Sequence, residues 1–337
     1  MKKLFSLSLT LLFYVLSFAQ HFTAPDQKLL HQKEDSMKWN ADKIINGINP
    51  ADRLKADSIF TRMLVRALKI NNSFFYRFDS LATISQLYAP DSSFRIFTWQ
   101  LVINDDVIRQ HGAIQMRTKE GDLKLYRLID KSDVTMNIKD TIGNNDGWIG
   151  AVYYKIILKK YNNRDYYTLL GYDECNINSN RKIIEVLTFV NKEPVFGGRY
   201  FSFENDAISS KKINSRYVME YKKEAGPRLT YDKDLDMIVA EHLVSESNEP
   251  NKRWTMVGDG DYEGFKWING FWVHVEKLFN YVTPEGQVPV PNPLKDNGGN
   301  LMDNKLNEPD QNNTEEKPKE IVKPKTVPPR PKKKGSG

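Results

Sequence analysis

Apolar and polar positions follow four different rhythms along the chain, and the changes of rhythm divide it. Residues 1–19 hold an apolar run, Leu4 to Phe18, behind Lys2 and Lys3. Residues 20–70 carry apolar positions at helical spacing, residues 71–283 carry short runs that alternate with period two, and residues 284–337 turn to Pro, Gly, Asn and Lys. The helical part has its clearest signal in "NPADRLKADSIFTRMLVRALKI". Asn49 suits a cap, Pro50 a first helical position and Asp52 a first turn. Leu54, Ile59, Phe60, Met63, Leu64, Ala67 and Leu68 then make one stripe. The stripe either packs on the rest of the protein or offers a face to a partner. Asp26 to Ile48 is polar and compatible with one or two helices.

The period-two region predicts strands at "FRIFTWQL", "GAIQMRT", "LKLYRLI", "IGAVYYKIIL", "YYTLLGY", "KIIEVLTFV", "GRYFSF", "RYVMEYK", "RLTY", "MIVAEHLV", "RWTMV", "YEGFKW" and "FWVHV". Turn residues separate them and no helical pattern intervenes, so the expected fold is mainly β and antiparallel. A meander, propeller-like or sandwich arrangement fits, with the N-terminal helices packed on it and a disordered C-terminal tail. Three strands are apolar on both faces and are expected at the centre of the protein. Each holds ionisable residues in apolar company: Lys155, Glu185, and Glu241 with His242. Asp173, just after "YYTLLGY", is a further candidate for a ligand or buried polar site. The simpler expectation is a buried structural pair, Lys155 with Glu185 or Glu241; the other is a ligand site with shifted pKa values.

Charge changes the picture only at the end of the chain. Residues 310–337 hold eight Lys or Arg against four Asp or Glu, whereas residues 21–309 hold 39 of each sign. A basic groove for nucleic acid is therefore not expected. The first nineteen residues have the parts of a secretory signal, with Ser17 and Ala19 before a cut at Gln20. Their apolar run is shorter than the roughly 20 residues that span a bilayer comfortably, and no later segment is apolar enough to span. Export, to the periplasm or the outside, is the expectation. The only cysteine, Cys175, leaves no internal disulfide to form.

Candidate chemistry is sparse. Metalloprotease, nucleophile-elbow, phosphate-loop, paired Cys-x-x-Cys and dinucleotide motifs are all missing. The histidines at 21, 31, 111, 242 and 274 do not fall at ligand spacing. No cofactor is expected. "VGDGDYEGFKWINGFWVHV" opens like a calcium loop, and Asp259, Asp261 and Glu263 are its candidate ligands. The twelfth position, where a bidentate Glu belongs, is Gly270. "NG" instead predicts a two-residue hairpin turn, with Trp267 opposite Trp272 and Phe265 opposite His274. "DGDYEG" then becomes the polar connection entering the hairpin, with a cation loop or a glycan loop as the alternatives. "YDKDLD" is likewise expected to be a hairpin turn.

Taken together, "DSSFRIFTWQL", "YYKIIL", "YTLLGYD", "EVLTFVNKEPVFG", "LTYDKDLDMIVAEHL" and "GDGDYEGFKWINGFW" resemble an uncharacterised family of secreted Bacteroidota proteins. Similar strings occur there in the same order, and the resemblance runs from about Phe74 to Val275. Tyr172 stands where that family often has Trp, Glu241 where it has Asp, and Gly258-Asp259-Gly260 where it has Gly-Pro-Asp. The resemblance implies lineage and compartment, and no activity. The leading functional expectation is an exported, non-enzymatic binding protein whose partner is an envelope polymer or another envelope protein. The alternative is a polysaccharide or envelope-polymer hydrolase built on a carboxylate pair.

Overall fold

The computed structural model describes residues 23–278, apart from 105–106 and 204–212. The expected signal segment and the Pro/Lys tail lie outside the described residues. The fold is mainly β and antiparallel, as the alternation predicts.

Two helices come first. Helix α1 spans Ala24–Asn46 as a single element, capped by Thr23, whose hydroxyl accepts from the Asp26 N–H. No Gly or Pro interrupts residues 26–46, so nothing breaks it in two. Leu30, Glu34, Met37, Ala41 and Ile44 form its buried stripe. Helix α2, Pro50–Leu68, starts at the expected proline, and its Arg53 Nε donates to Val102 O at 2.7 Å. Phe60, Leu64, Ala67 and Leu68 are buried, but Leu54, expected in the same stripe, is exposed.

Strands β1 (Ser85–Tyr88), β2 (Phe94–Val102), β3 (Ile108–Met116) and β4 (Lys124–Ile129) form a meander. Strands β5 (Gly143–Asn144), β6 (Val152–Tyr161), β7 (Arg164–Asp173), β8 (Ser179–Val190) and β9 (Glu193–Phe196) form the second sheet, ordered β5-β9-β8-β7-β6. The chain enters a third sheet as β10 (Phe201–Ser202) and β11 (Ile213–Asn214). It returns to the second as β12 (Arg216–Lys222), which pairs with the half of β8 that β9 leaves open. Strands β13 (Leu229–Asp232), β14 (Met237–Ser245), β15 (Met256–Ile268) and β16 (Phe271–Val275) complete the third sheet. Among the described residues, its parallel contact is β10 beside β16.

The layers stack in chain order. Phe97, Trp99 and Leu101 of β2 pack under the helices. Phe94, Ile96 and Ile114, on the opposite face, pack on Leu169, Ile183 and Leu187 of the middle sheet. Leu170, Ile184 and Val186 face the other way, onto Ile238, Phe265 and Trp272 of the third sheet. The middle sheet is thus covered on both sides, as predicted for β6 and β8. Three predictions need correction. A bulge between Tyr153 and Lys155 carries Tyr153 onto the face of Ile156, so β6 does not alternate regularly. Strand β14 lies in an outer sheet and opens to solvent after Ala240. "RWTMV" is strand only from Met256, because Arg253–Thr255 is a 3-10 turn.

The "NG" hairpin forms in the predicted register, Trp267 opposite Trp272 and Phe265 opposite His274. Asn269 and Gly270 take φ of 50° and 85°, which Asn and Gly tolerate best. "YDKDLD" is also a hairpin turn, in which Asp232 accepts from the N–H groups of Asp234 and Leu235.

Candidate functional site

The stretch "DGDYEG" is not a connection but part of β15. Tyr262 lies opposite Glu241 and Gly258 opposite Leu243, so Asp259, Gly260 and Asp261 bulge out across from His242. Gly260 sits at φ 89°, and a Cβ on Gly258 would come within 2.0 Å of Glu241 Oε1. The three carboxylates diverge. Asp259 bonds His242 Nδ1 at 2.8 Å, Asp261 lies 3.4 Å from Lys277 Nζ, and Glu263 takes Tyr217 Oη and His274 Nε2. Burial pushes the Asp259 carboxyl up, but the bonds from His242 and the Asp261 N–H outweigh it and hold it below the usual range. Among the described residues no three His, Cys, Asp or Glu converge to hold a metal ion. Glu241 points elsewhere, accepting from the Arg228 N–H at 2.8 Å.

Lys155 does not meet either glutamate. It is half-buried and makes no ion pair among the described residues. The partner of Glu185 is Arg216, directly opposite it in the β8–β12 register, with Nε 2.6 Å from Oε2 and both side chains wholly buried. Tyr153 Oη donates to the same carboxylate and accepts from Trp148 Nε1 at 2.7 Å. Arg216 also donates to the carbonyls of Ile138, Thr141 and Phe196, while its own N–H and that of Ser215 donate to Lys139 O. The loop 138–141 is thereby held from inside and outside. Asp173 is buried against Gln110, and its carboxyl is pushed up to about 7 by burial, which Arg181 only partly offsets.

Loop 138–141, β12, β14 and β15 enclose a cleft of about 380 Å³ at the seam of the second and third sheets. Of the predicted site residues, His242 and Glu263 line it, and Asp259 stands behind His242. Asp173 reaches it indirectly, through Arg181 at 3.8 Å. Lys155, Glu185 and Glu241 do not line it. The sequence gives no sign of two further liners, Lys139 and Arg253, which make no ion pair among the described residues. Burial and the nearby Arg253 push the Lys139 ammonium below its ordinary value. The carboxylates of the cleft are already engaged: Glu220 with Ser179 and Arg181, Glu263 with Tyr217 and His274. His242, tied at Nδ1, has Nε2 left for the cleft. The unsatisfied groups here are cations, set on a fixed loop and a buried-threonine turn.

No match was found among family models, curated proteins or solved structures. Among the described residues no helix is long and apolar enough to cross a membrane.

Proposed function

We propose that the protein is an exported, non-enzymatic binding protein of the cell envelope, and that the seam cleft takes an anionic group of its ligand. The observation that carries the reading is the presence of Lys139 and Arg253 at one cleft, neither in an ion pair among the described residues, while the carboxylates there, Glu220 and Glu263, are engaged by other partners. Their mutual repulsion falls when an oxyanion sits between them, and the clamped loop 138–141 spares the ligand the cost of ordering it. Export rests on the charged, apolar and small-residue order of residues 1–19.

Polygalacturonate retention, with dextran as the neutral control, tests the site. The native protein should be retained at low salt and released at high salt, and Lys139→Gln with Arg253→Gln should not be retained. Equal retention on dextran sinks the reading. N-terminal sequencing of the mature chain tests export and should begin near Gln20.

A second reading has one observation in its favour: two carboxylates, Glu220 and Glu263, line the same cleft. A glycosidase needs one of them as acid and the other as base or nucleophile. Both already accept two hydrogen bonds or ion pairs, which favours binding over catalysis. Release of reducing ends from the same polymer, abolished by Glu263→Gln, would reverse that preference.

A further inference from the structure

A second cleft, about 490 Å³, lies at the other end of the stack between α2 and the first sheet. Strand periodicity assembles it. Trp99 and His111 are cross-strand partners, as are His111 and Ile129, and Ala113 and Arg127. Arg109, His111, Arg127 and Ile129 therefore share the face that α2 covers. Asp57, buried in α2, accepts from Trp99 Nε1 and His111 Nδ1, both at 2.8 Å, through the same oxygen. Trp99 also meets the imidazole edge to face, with centroids 5.8 Å apart. An ionised carboxylate can only accept, so His111 Nδ1 carries a proton and Nε2 is turned outward to the cleft.

The other acids at this cleft are taken. Asp130 accepts from the N–H groups of Gln110, Ser132 and Gly150 at 2.9–3.1 Å. Asp133 pairs with Arg109 at 2.9 Å. The guanidinium groups of Arg62, on α2, and Arg127, on β4, have no ion pair or hydrogen bond among the described residues and are exposed at the cleft. Trp99 and Ile129 supply an apolar wall between them.

We propose that this cleft is a second binding site, for a small molecule that carries one carboxylate or phosphate on an apolar or ring-shaped body. Two free planar forks and a fixed imidazole nitrogen match an oxyanion, and the wall of Trp99 and Ile129 matches the body. A neutral molecule would leave both guanidinium groups unanswered. An inorganic ion alone would leave the apolar wall wet. The site is independent of the seam cleft and shares no residue with it.

Titration of the full-length protein with benzoate, phenyl phosphate and benzamide tests this, read by calorimetry and by the His111 ring resonances. Benzoate or phenyl phosphate should bind about tenfold or more tightly than benzamide, the size expected of one charge-assisted contact. Arg62→Gln with Arg127→Gln should lose that advantage while the melting temperature and the weak benzamide binding stay as they were. His111→Asn, made separately, should weaken the oxyanion and remove the ring signal that reports it. Benzamide binding as tightly as benzoate, an unaffected double variant, or no binding of any probe at millimolar concentrations would overturn the proposal.

Discussion

Arg216 is the residue on which the interior of the second sheet and the seam cleft both depend, so its replacement is the most informative perturbation. In Arg216→Met the methylene stem is roughly kept and the guanidinium is lost. Glu185 then remains wholly buried with Tyr153 Oη as its remaining donor, and the carbonyls of Ile138, Thr141 and Phe196 lose theirs. Breaking one side of a buried pair costs about 3–5 kcal/mol, and orphaned carbonyls can only add to that. For a body of this size each kcal/mol moves the midpoint by about 2–4 °C, so a fall of about 6–20 °C is expected. Replacing both partners, Arg216→Met with Glu185→Leu, removes the stranded charge and should recover about half the loss, since the carbonyls and Tyr153 stay unsatisfied. Urea unfolding followed by far-ultraviolet dichroism and by tryptophan fluorescence measures this, with coincident curves as the check on two-state behaviour. Lys155→Met serves as the comparison and should change stability by less than about 0.5 kcal/mol. A single Arg216→Met variant within about 1 kcal/mol of the parent would refute the reasoning, as would a double variant no better than the single. The same variant should weaken polyanion retention, because Arg216 holds the loop that presents Lys139.

Other outcomes follow from the same geometry. The Asp173 carboxyl, raised to about 7 by burial, binds its proton more tightly folded than unfolded, so its contribution lowers stability as pH rises from about 4 to about 7. Asp173→Asn should flatten that fall, by on the order of 4 kcal/mol between the two ends, and a parallel pH profile in parent and variant would count against it. Gly270→Ala should cost about 1–3 kcal/mol in urea unfolding, because φ is 85° and the new Cβ would lie 2.6 Å from the Tyr161 ring. Melts with calcium and with chelator should coincide, since Asp259, Asp261 and Glu263 each hold a different partner; a shift of several degrees with micromolar calcium would show that they converge after all.

Local rules carried much of the fold. The start of α2 at Pro50, the turn at Asn269-Gly270 and the register it imposes on two tryptophans all depend on residues within a few positions of one another. Period-two alternation likewise located most strands, and two-faced apolar runs marked β6 and β8 as central. The misreadings begin where a partner comes from a distant strand. Arg216 looks in sequence like an ordinary strand residue; it meets Glu185 because β12 takes the half of β8 that β9 leaves free. Lys155 was the nearer-looking partner, and a one-residue bulge shifted its strand. The alternating acids of "DGDYEG" suggested one loop, but strand pairing sent each carboxylate to a different neighbour. Asp57 and His111 stand 54 positions apart, with no hint of their meeting beyond an acid inside an apolar helical stripe. Backbone conformation and burial pattern are short-range properties that a sequence states directly. Which charge meets which is set by strand order and register, and those are decided only when the three sheets and the helices stack and leave each buried ion one neighbour to find.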